Sequence, residues 1–172
     1  MTDGLPLISV IVPTWNRQSF IRAALDSIFA QTYPEERMQI SVVNDGSTDA
    51  TREILKGYGE RIYCISQENK GIAGARNAGI SRAKGYIITF LDSDDTYNAG
   101  RLDRVVDAFR KSPEAGMVFH PVELVDKEGR TLYRNFNGPY APCLDTGNLA
   151  SPGSKVSAKP DPWSRGGHEG SL

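Results

Sequence analysis

Residues 86–95 read YIITFLDSDD, an apolar run that ends in three carboxylates within four positions. The apolar part predicts a buried strand over residues 86–91, so the acids emerge at the edge of a sheet. Alternate side chains of an extended chain point the same way, and Asp92 and Asp94 can therefore converge on one point. A divalent cation with oxygen ligands would relieve their repulsion. A polar strand end, or an Asp that caps the next helix, explains these residues equally well.

On either side of this run, the spacing of apolar residues alternates between the period of a strand and the period of a helix. Strands are predicted at residues 7–12, 40–43 and 61–65, and helices at residues 20–29, 48–56, 72–83 and 101–111. Asn16 or Ser19 is the expected cap of the first helix. Shorter strands are predicted at residues 118–120, 123–125 and 131–133, with a hairpin turn at 126–129. The alternation predicts an α/β fold with a mostly parallel sheet between helices.

Length and composition describe an ordinary globular domain. The chain has 172 residues, of which 39% are hydrophobic and 24% charged. A net charge of −1 gives no broad basic surface for nucleic acid. Cys64 and Cys143 stand alone in the sequence, which favours a reduced, cytoplasmic protein with Cys64 in the core. The start has no basic region typical of a signal peptide, and no apolar run reaches the ~20 residues that span a bilayer.

The composition changes near residue 136, where Gly, Pro, Ser and Asn become frequent and hydrophobic periodicity stops. We expect residues 1–135 to form the folded domain. Residues 136–172 are expected to be a Gly/Pro/Ser-rich tail that adds little core.

Polar motifs follow three of the predicted strands: PTWNR at 13–17, NDGS at 44–47 and DSDD at 92–95. Ligands bind at the carboxyl ends of strands in sheets of this type, so the coincidence favours a binding site. Trp15 could stack on a base, or it could be a hydrophobic staple at the entry to the first helix. Asp45 could accept a hydrogen bond from a nucleobase, or it could be a turn residue before Gly46.

A fourth motif, NKGIAGARN at residues 69–77, lies between a predicted strand and a predicted helix. Glycines and a helix N-terminus suit the approach of an anion, and Lys70 and Arg76 could add positive charge for a diphosphate. Close packing of the helix on the sheet explains Gly71 and Gly74 as well. The spacing fits neither the dinucleotide-binding fingerprint nor the P-loop.

Taken in order, the four motifs resemble the signature of family 2 glycosyltransferases, over roughly residues 7–125. The resemblance implies a GT-A fold, which is Rossmann-like, and a hexosyltransferase-like enzyme. Its donor would be a nucleotide-diphosphate sugar, with a UDP-sugar favoured, and its acceptor a glycan or glycolipid. It also implies inversion at the anomeric carbon, and a place in cell-wall or polysaccharide biosynthesis. The implied location is the cytoplasm, and association with the inner face of a membrane is left open. Formation of a homo-oligomer is also left open.

The same resemblance implies substrate-binding roles for five residues outside the acidic run. Pro13 and Trp15 would line the nucleoside pocket, and Asp45 would bind the base. Lys70 and Arg76 would lie beside the base or the diphosphate.

In the acidic run, the resemblance implies a DxD motif that binds Mg²⁺ or Mn²⁺. Asp94 would contact the metal, and Asp92 would contact the metal or the ribose. Asp95 would be an additional acid.

The resemblance does not extend to a catalytic base. Family members carry an acidic base in an acceptor-side half, and none of Asp145, Asp161 and Glu169 lies in such a context. We therefore assign no base and expect this short chain to lack the acceptor-side half. A non-catalytic nucleotide-sugar-binding module and a nucleotidyltransferase remain as alternative hypotheses.

Overall fold

The computed structural model describes residues 4–126 and 129–136, the last four by their backbone alone. These residues form two compact units, each defined by the contacts within it, and the boundary along the chain falls between Lys111 and Ser112. Of the predicted tail, residues 137–172 lie outside the described residues, and the division at residue 135 stays a prediction. The elements are β1 (Ile8–Thr14), α1 (Ile21–Phe29), β2 (Met38–Asp45), α2 (Thr51–Lys56), β3 (Tyr63–Gln67), α3 (Gly71–Ile80), β4 (Ile87–Phe90), α4 (Arg101–Lys111), β5 (Val122–Val125) and β6 (Thr131–Phe136).

The first unit has a four-stranded parallel sheet in the order β3-β2-β1-β4. This confirms the predicted parallel α/β architecture. The predicted end of the first strand was wrong, because β1 continues through Pro13 to Thr14. Proline lacks an N–H group, and it is tolerated here because β4 pairs with β1 only as far as Ile11.

One face of the sheet carries the main core. Alternate β1 residues, Ile8, Val10 and Val12, are fully buried against apolar residues of α1, α2 and α4. In α1 the buried residues recur at helical spacing: Ile21, Ala24, Leu25 and Ile28. This stripe explains why the segment folds as a helix against the sheet.

Helix α3 covers part of the opposite face, which confirms that helices flank both sides of the sheet. A Cβ atom at Gly79 would lie 2.4 Å from the Ile11 side chain, so the helix approaches β1 closely only because this residue is glycine. The close-packing glycine is thus Gly79, which the sequence did not single out.

Both edge strands are more exposed than their sequences suggest. Strand β4 alternates buried and exposed residues, with Ile88 and Phe90 exposed, so the expectation of a wholly buried strand was wrong. Cys64 was expected in the core but is exposed on β3 at the other edge. An edge strand has a neighbour on one side only, and apolar composition alone does not reveal that position.

In the second unit, β5 and β6 pair as an antiparallel hairpin, as predicted. The strand expected at residues 118–120 is absent from this part of the structure.

Among the described residues, no helix is long and apolar enough to cross a membrane.

Candidate functional site

The ends of all four strands of the first unit meet at one cleft, which has a volume of about 450 Å³. The parallel register places Thr14 of β1 beside Asn44 of β2, and Asp45 beside Gln67 of β3, so the loops that follow these strands are neighbours. The cleft is lined by Pro13, Trp15, Arg17, Asp45, Asn69, Gly71, Ile72, Ala75, Asp92, Ser93 and Asp94. All four sequence motifs therefore contribute to one site.

Asn16 joins the loop after β1 to the loop after β2. Its side-chain oxygen accepts hydrogen bonds from the backbone N–H groups of Thr48, at 2.8 Å, and Asp49, at 3.4 Å. Its own N–H donates to the Ser47 hydroxyl at 3.0 Å. Asn16 has a φ of 51°, a left-handed conformation that asparagine tolerates better than most residues. The expected helix cap is therefore wrong: α1 begins after Phe20 with no side-chain cap.

Asp45 is a buried carboxylate, only 3% exposed, at the end of β2. One of its oxygens accepts a 2.6 Å hydrogen bond from the Gln67 side-chain amide and a 2.9 Å bond from the Lys70 N–H. These donors fix the carboxylate, and its second oxygen has no hydrogen bond assigned to it within the described residues. A fixed carboxylate on the cleft wall can accept a hydrogen bond from a ligand N–H.

Gly46 makes room for this arrangement. Its φ is +76°, and a Cβ atom there would lie 2.9 Å from the backbone nitrogen of Asn69. A side chain at this position would separate the loops that follow β2 and β3. The glycine after Asp45 thus serves both a turn and a close loop contact.

Trp15 is a cleft-lining side chain that is 51% exposed. A hydrophobic staple is buried against the first turn of its helix, so this exposure favours the stacking interpretation. Pro13 lines the same cleft. Together they provide an apolar wall suited to a planar ring.

Asp92 and Asp94 also line the cleft, and each carboxylate is paired with an arginine. The Arg76 guanidinium lies 2.8 Å from Asp92, and the Arg17 Nε lies 3.3 Å from Asp94. The two acids are 41% and 47% exposed. Burial, with added repulsion from Asp94 and Asp92, raises the pKa of neighbouring Asp95. The acids of this run thus form a concentrated negative charge at the cleft.

The donor set of the acidic run suits a hard divalent cation, although it is incomplete by itself. Within the described residues, no cluster of three or more His, Cys, Asp or Glu could hold a metal. Mg²⁺ is commonly held by one or two carboxylates plus substrate phosphates, however, and Asp92 and Asp94 provide two. These residues therefore fit a cation whose coordination a phosphorylated ligand completes.

The structure places Lys70 and Arg76 differently from each other. Lys70 contributes its backbone N–H to Asp45, and its side chain is not part of the cleft wall. Arg76 does not line the cleft either, but its guanidinium pairs with the cleft residue Asp92. Gly71 lines the cleft at the start of α3 with a φ of +72°, which favours the ligand-approach interpretation over close packing.

Sequence reasoning missed three contributions: Asn16 as a bridge, Gln67 as a partner of Asp45, and Arg17 as a partner of Asp94. A polar residue shortly after the predicted third strand was the available signal for Gln67, whereas its register with Asp45 is seen only in the structure. The partners of Asn16 and Arg17 lie more than 30 and more than 70 positions away, so no local pattern indicates them.

Comparison with known proteins adds a family match. The model of Glycosyl transferase family 2 matches residues 9–153, most of the chain. A relative in Bacillus subtilis, the putative teichuronic acid biosynthesis glycosyltransferase TuaG, is 36% identical over 143 residues, or 81% of this chain and 56% of TuaG.

Two solved structures have similar folds. Staphylococcus aureus TarS 1-349 in complex with UDP has a TM-score of 0.56 at 26% identity, covering 72% of this chain and 43% of TarS 1-349. The mannosyltransferase PcManGT from Pyrobaculum calidifontis, in complex with GDP-Man and Mn²⁺, has a TM-score of 0.55 at 30% identity. That match covers 63% of this chain and 33% of PcManGT. These likenesses confirm the predicted GT-A fold.

The chain spans only part of the length of such proteins. It covers 40% of two uncharacterized glycosyltransferases from Rickettsia species, at 36% identity over 129 residues.

Proposed function

The chain belongs to glycosyltransferase family 2, and on that premise we propose that it forms the donor-binding part of a metal-dependent, inverting glycosyltransferase. The donor would be a nucleotide-diphosphate sugar, with a UDP-sugar favoured. The acceptor would be a hydroxyl group of a glycan or glycolipid. TuaG, whose name places it in teichuronic acid biosynthesis, supports a role in cell-surface polysaccharide synthesis.

The proposal rests on one observation: the two ends of a single cleft carry different chemical groups. Trp15 and the Asp45 carboxylate suit a nucleobase, through stacking and through an acceptor for a base N–H. Asp92 and Asp94 suit a cation, and Arg17 suits a phosphate oxygen. A nucleoside diphosphate with a divalent cation combines these groups in a single ligand. The complexes of TarS with UDP and of PcManGT with GDP-Man and Mn²⁺ support the same class of ligand.

Each site residue predicted from the sequence has a role in this proposal. Pro13 and Trp15 hold the nucleoside, Asp45 binds the base, and the Lys70 N–H fixes Asp45. Arg76 lies on the diphosphate side, next to Asp92.

Asp92 and Asp94 would hold Mg²⁺ or Mn²⁺. When bound, the cation would offset the negative charge that develops on the departing nucleoside diphosphate.

The transfer itself forms a bond between the acceptor oxygen and the anomeric carbon and breaks the bond from that carbon to the diphosphate oxygen. Attack from the face opposite the diphosphate inverts the anomeric configuration. The hydroxyl proton passes to a base, and we assign no residue to that role. What the described residues contribute is orientation of the donor and stabilisation of its leaving group.

A binding and turnover experiment tests the proposal. Purified protein is titrated with UDP in Mn²⁺ and in EDTA, then incubated with UDP-GlcNAc or GDP-mannose, Mn²⁺ and acceptor glycans while release of nucleoside diphosphate is measured. Metal-dependent binding with release supports the enzyme. Binding without release supports the non-catalytic alternative, and absence of binding contradicts both. Release of pyrophosphate from a nucleoside triphosphate and a sugar phosphate would instead indicate a nucleotidyltransferase.

A further inference from the structure

Arg17 stands out among the cleft residues because its backbone is fixed while its guanidinium is only loosely held. The Arg17 N–H donates to the Thr51 hydroxyl at 2.9 Å, and the preceding residue, Asn16, bridges two loops. The side chain is 40% exposed; its Nε lies 3.3 Å from Asp94, and its Nη1 donates a long 3.4 Å bond to the Asn16 carbonyl. Charge-assisted hydrogen bonds are usually about 2.7–2.9 Å long, so this ion pair is a weak one. The guanidinium can exchange partners without disturbing the loop that carries it.

The second acid has a similar arrangement. Arg76 donates to Asp92 at 2.8 Å, but its Nε–H is buried and finds no acceptor among the described residues. A buried donor without an acceptor is unfavourable, so this pairing does not satisfy the whole guanidinium. Both acids that would bind a cation therefore carry an arginine that a diphosphate could also bind.

Resting on the proposed function, we propose that Arg17, by exchanging Asp94 for a phosphate oxygen, makes cation binding and diphosphate binding depend on each other. A cation on Asp94 without nucleotide leaves the Arg17 charge facing a dication. A diphosphate that draws Arg17 away without a cation leaves Asp94 unpaired beside more negative charge. With both ligands present, the arginine pairs with phosphate and the acid pairs with the cation, so every charge has a partner.

One substitution of a cleft residue, Arg17→Gln, should strengthen the binding of Mn²⁺ rather than weaken it. Arg17→Gln removes the cation that competes for Asp94, so the protein should bind Mn²⁺ alone about fivefold more tightly, the scale expected for one exposed ion pair. The factor by which UDP improves Mn²⁺ affinity should fall by the same amount, because linkage makes the two effects reciprocal. A variant that merely damaged the loop would lose Mn²⁺ affinity rather than gain it.

Electron paramagnetic resonance of free Mn²⁺ measures this directly, with and without UDP. The wild-type chain is compared with Arg17→Gln, Arg17→Lys and the control Arg82→Gln. Arg82 is an exposed cation whose carbonyl accepts a bond from Gln39, at the opposite end of the sheet, so the control removes the same charge away from the cleft. We expect Arg17→Lys and Arg82→Gln to bind Mn²⁺ alone within about twofold of the wild type.

Unchanged or weaker binding of Mn²⁺ alone by Arg17→Gln overturns the inference while leaving the proposed function intact, provided that wild-type UDP affinity still depends on Mn²⁺. Wild-type UDP affinity that does not depend on Mn²⁺ overturns both. An equal gain of Mn²⁺ affinity in Arg82→Gln also overturns the inference, because the effect would then be one of net charge alone.

Discussion

The two ends of the cleft are built by different physical means. At the base end, Asp45 is buried and held by two hydrogen bonds, and Asn16 joins the surrounding loops. At the cation end, Asp92 and Asp94 are about half exposed and are paired with arginines. Buried hydrogen bonds are expensive to remove, whereas exposed ion pairs contribute roughly 0–1 kcal/mol. The base end is therefore a fixed receptor, and the cation end is a set of exchangeable partners.

Because the two ends are built differently, substitutions at each end should affect the stability of the fold and the binding of ligand to different extents. Substitutions at the base end should weaken both the fold and nucleoside binding, while substitution of Asp92 or Asp94 at the cation end should weaken metal-dependent binding with little effect on the fold.

The largest expected effect is that of Asp94→Ala at the cation end. UDP affinity in the presence of Mn²⁺ should fall by about 100-fold, the upper limit of losses caused by changes around metal ligands. Calorimetric titration of UDP in Mn²⁺ and in EDTA measures the loss. The melting temperature should stay close to that of the wild type, because the Arg17 ion pair is exposed.

The matched control is Asp107→Ala, which removes another exposed acid that faces an arginine, on α4. Equal UDP affinity in Asp94→Ala and Asp107→Ala would show that the acid at position 94 has no role in binding.

At the base end, Asp45→Ala should weaken the binding of uridine, which has no phosphate, by roughly 10–100-fold, the value of a hydrogen bond to a charged group. It should also lower the free energy of unfolding by about 1–3 kcal/mol, because Gln67 and Lys70 lose their acceptor. Fluorescence titration and urea denaturation measure the two effects.

Asp45→Asn sharpens this test, since its amide oxygen can still accept from Gln67 and Lys70. The fold should then keep more of its stability while uridine binding stays weak. If uridine affinity were unaffected in both variants, Asp45 would be only a turn residue.

A smaller effect on nucleoside binding is expected for Asn16→Ala. The variant loses the acceptor for Thr48 and Asp49 and strains a left-handed backbone, which together should destabilise the domain by roughly 2–3 kcal/mol. Uridine affinity should fall a few-fold through looser loops. Asn16→Gly relieves the backbone strain without restoring the acceptor. Its free energy of unfolding in urea should therefore lie between those of the wild type and Asn16→Ala. A stability equal to that of the wild type in both variants would contradict the bridging role.

The smallest effect concerns Asp95, whose pKa is raised by burial and by repulsion from Asp94 and Asp92. Because the pKa is higher in the folded state, this carboxyl destabilises the fold as the pH rises through that value, and it has no effect below the ordinary value of 3.8, where both states are protonated. Asp95→Asn should therefore raise the melting temperature by roughly 1–2 °C at pH 7 and leave it unchanged at pH 3. Bound Mn²⁺ should reduce the gain at pH 7. A lower melting temperature at pH 7 would contradict the repulsion.

The fold was largely predictable because strands and helices alternate with clear periodicity and polar motifs end three strands. Helix α4 was predicted with its observed bounds. The strand order could not be predicted from the sequence. That order makes β3 and β4 the edge strands, and Cys64, Ile88 and Phe90 are exposed on them. Periodicity reports which face of an element is apolar, but not what covers that face.

The site was predictable at the level of motifs and not at the level of contacts. Strand ends gather at one edge of a parallel sheet, so Asp45, Asp92 and Asp94 could be expected near each other. The arginine that holds each acid, and the amide that holds Asp45, come from long-range packing. Asn16 was predicted as a helix cap because local rules describe one helix at a time, whereas it bonds to the next loop.

The most direct measurement is a crystal structure of this chain with UDP and Mn²⁺, in which the anomalous signal locates the metal. The account predicts a manganese peak on the carboxylate oxygens of Asp92 and Asp94, shared with the diphosphate, and a uracil ring on Trp15 with its N–H toward Asp45. A nucleotide in this cleft with manganese elsewhere, or with both arginine pairs still intact, would contradict it.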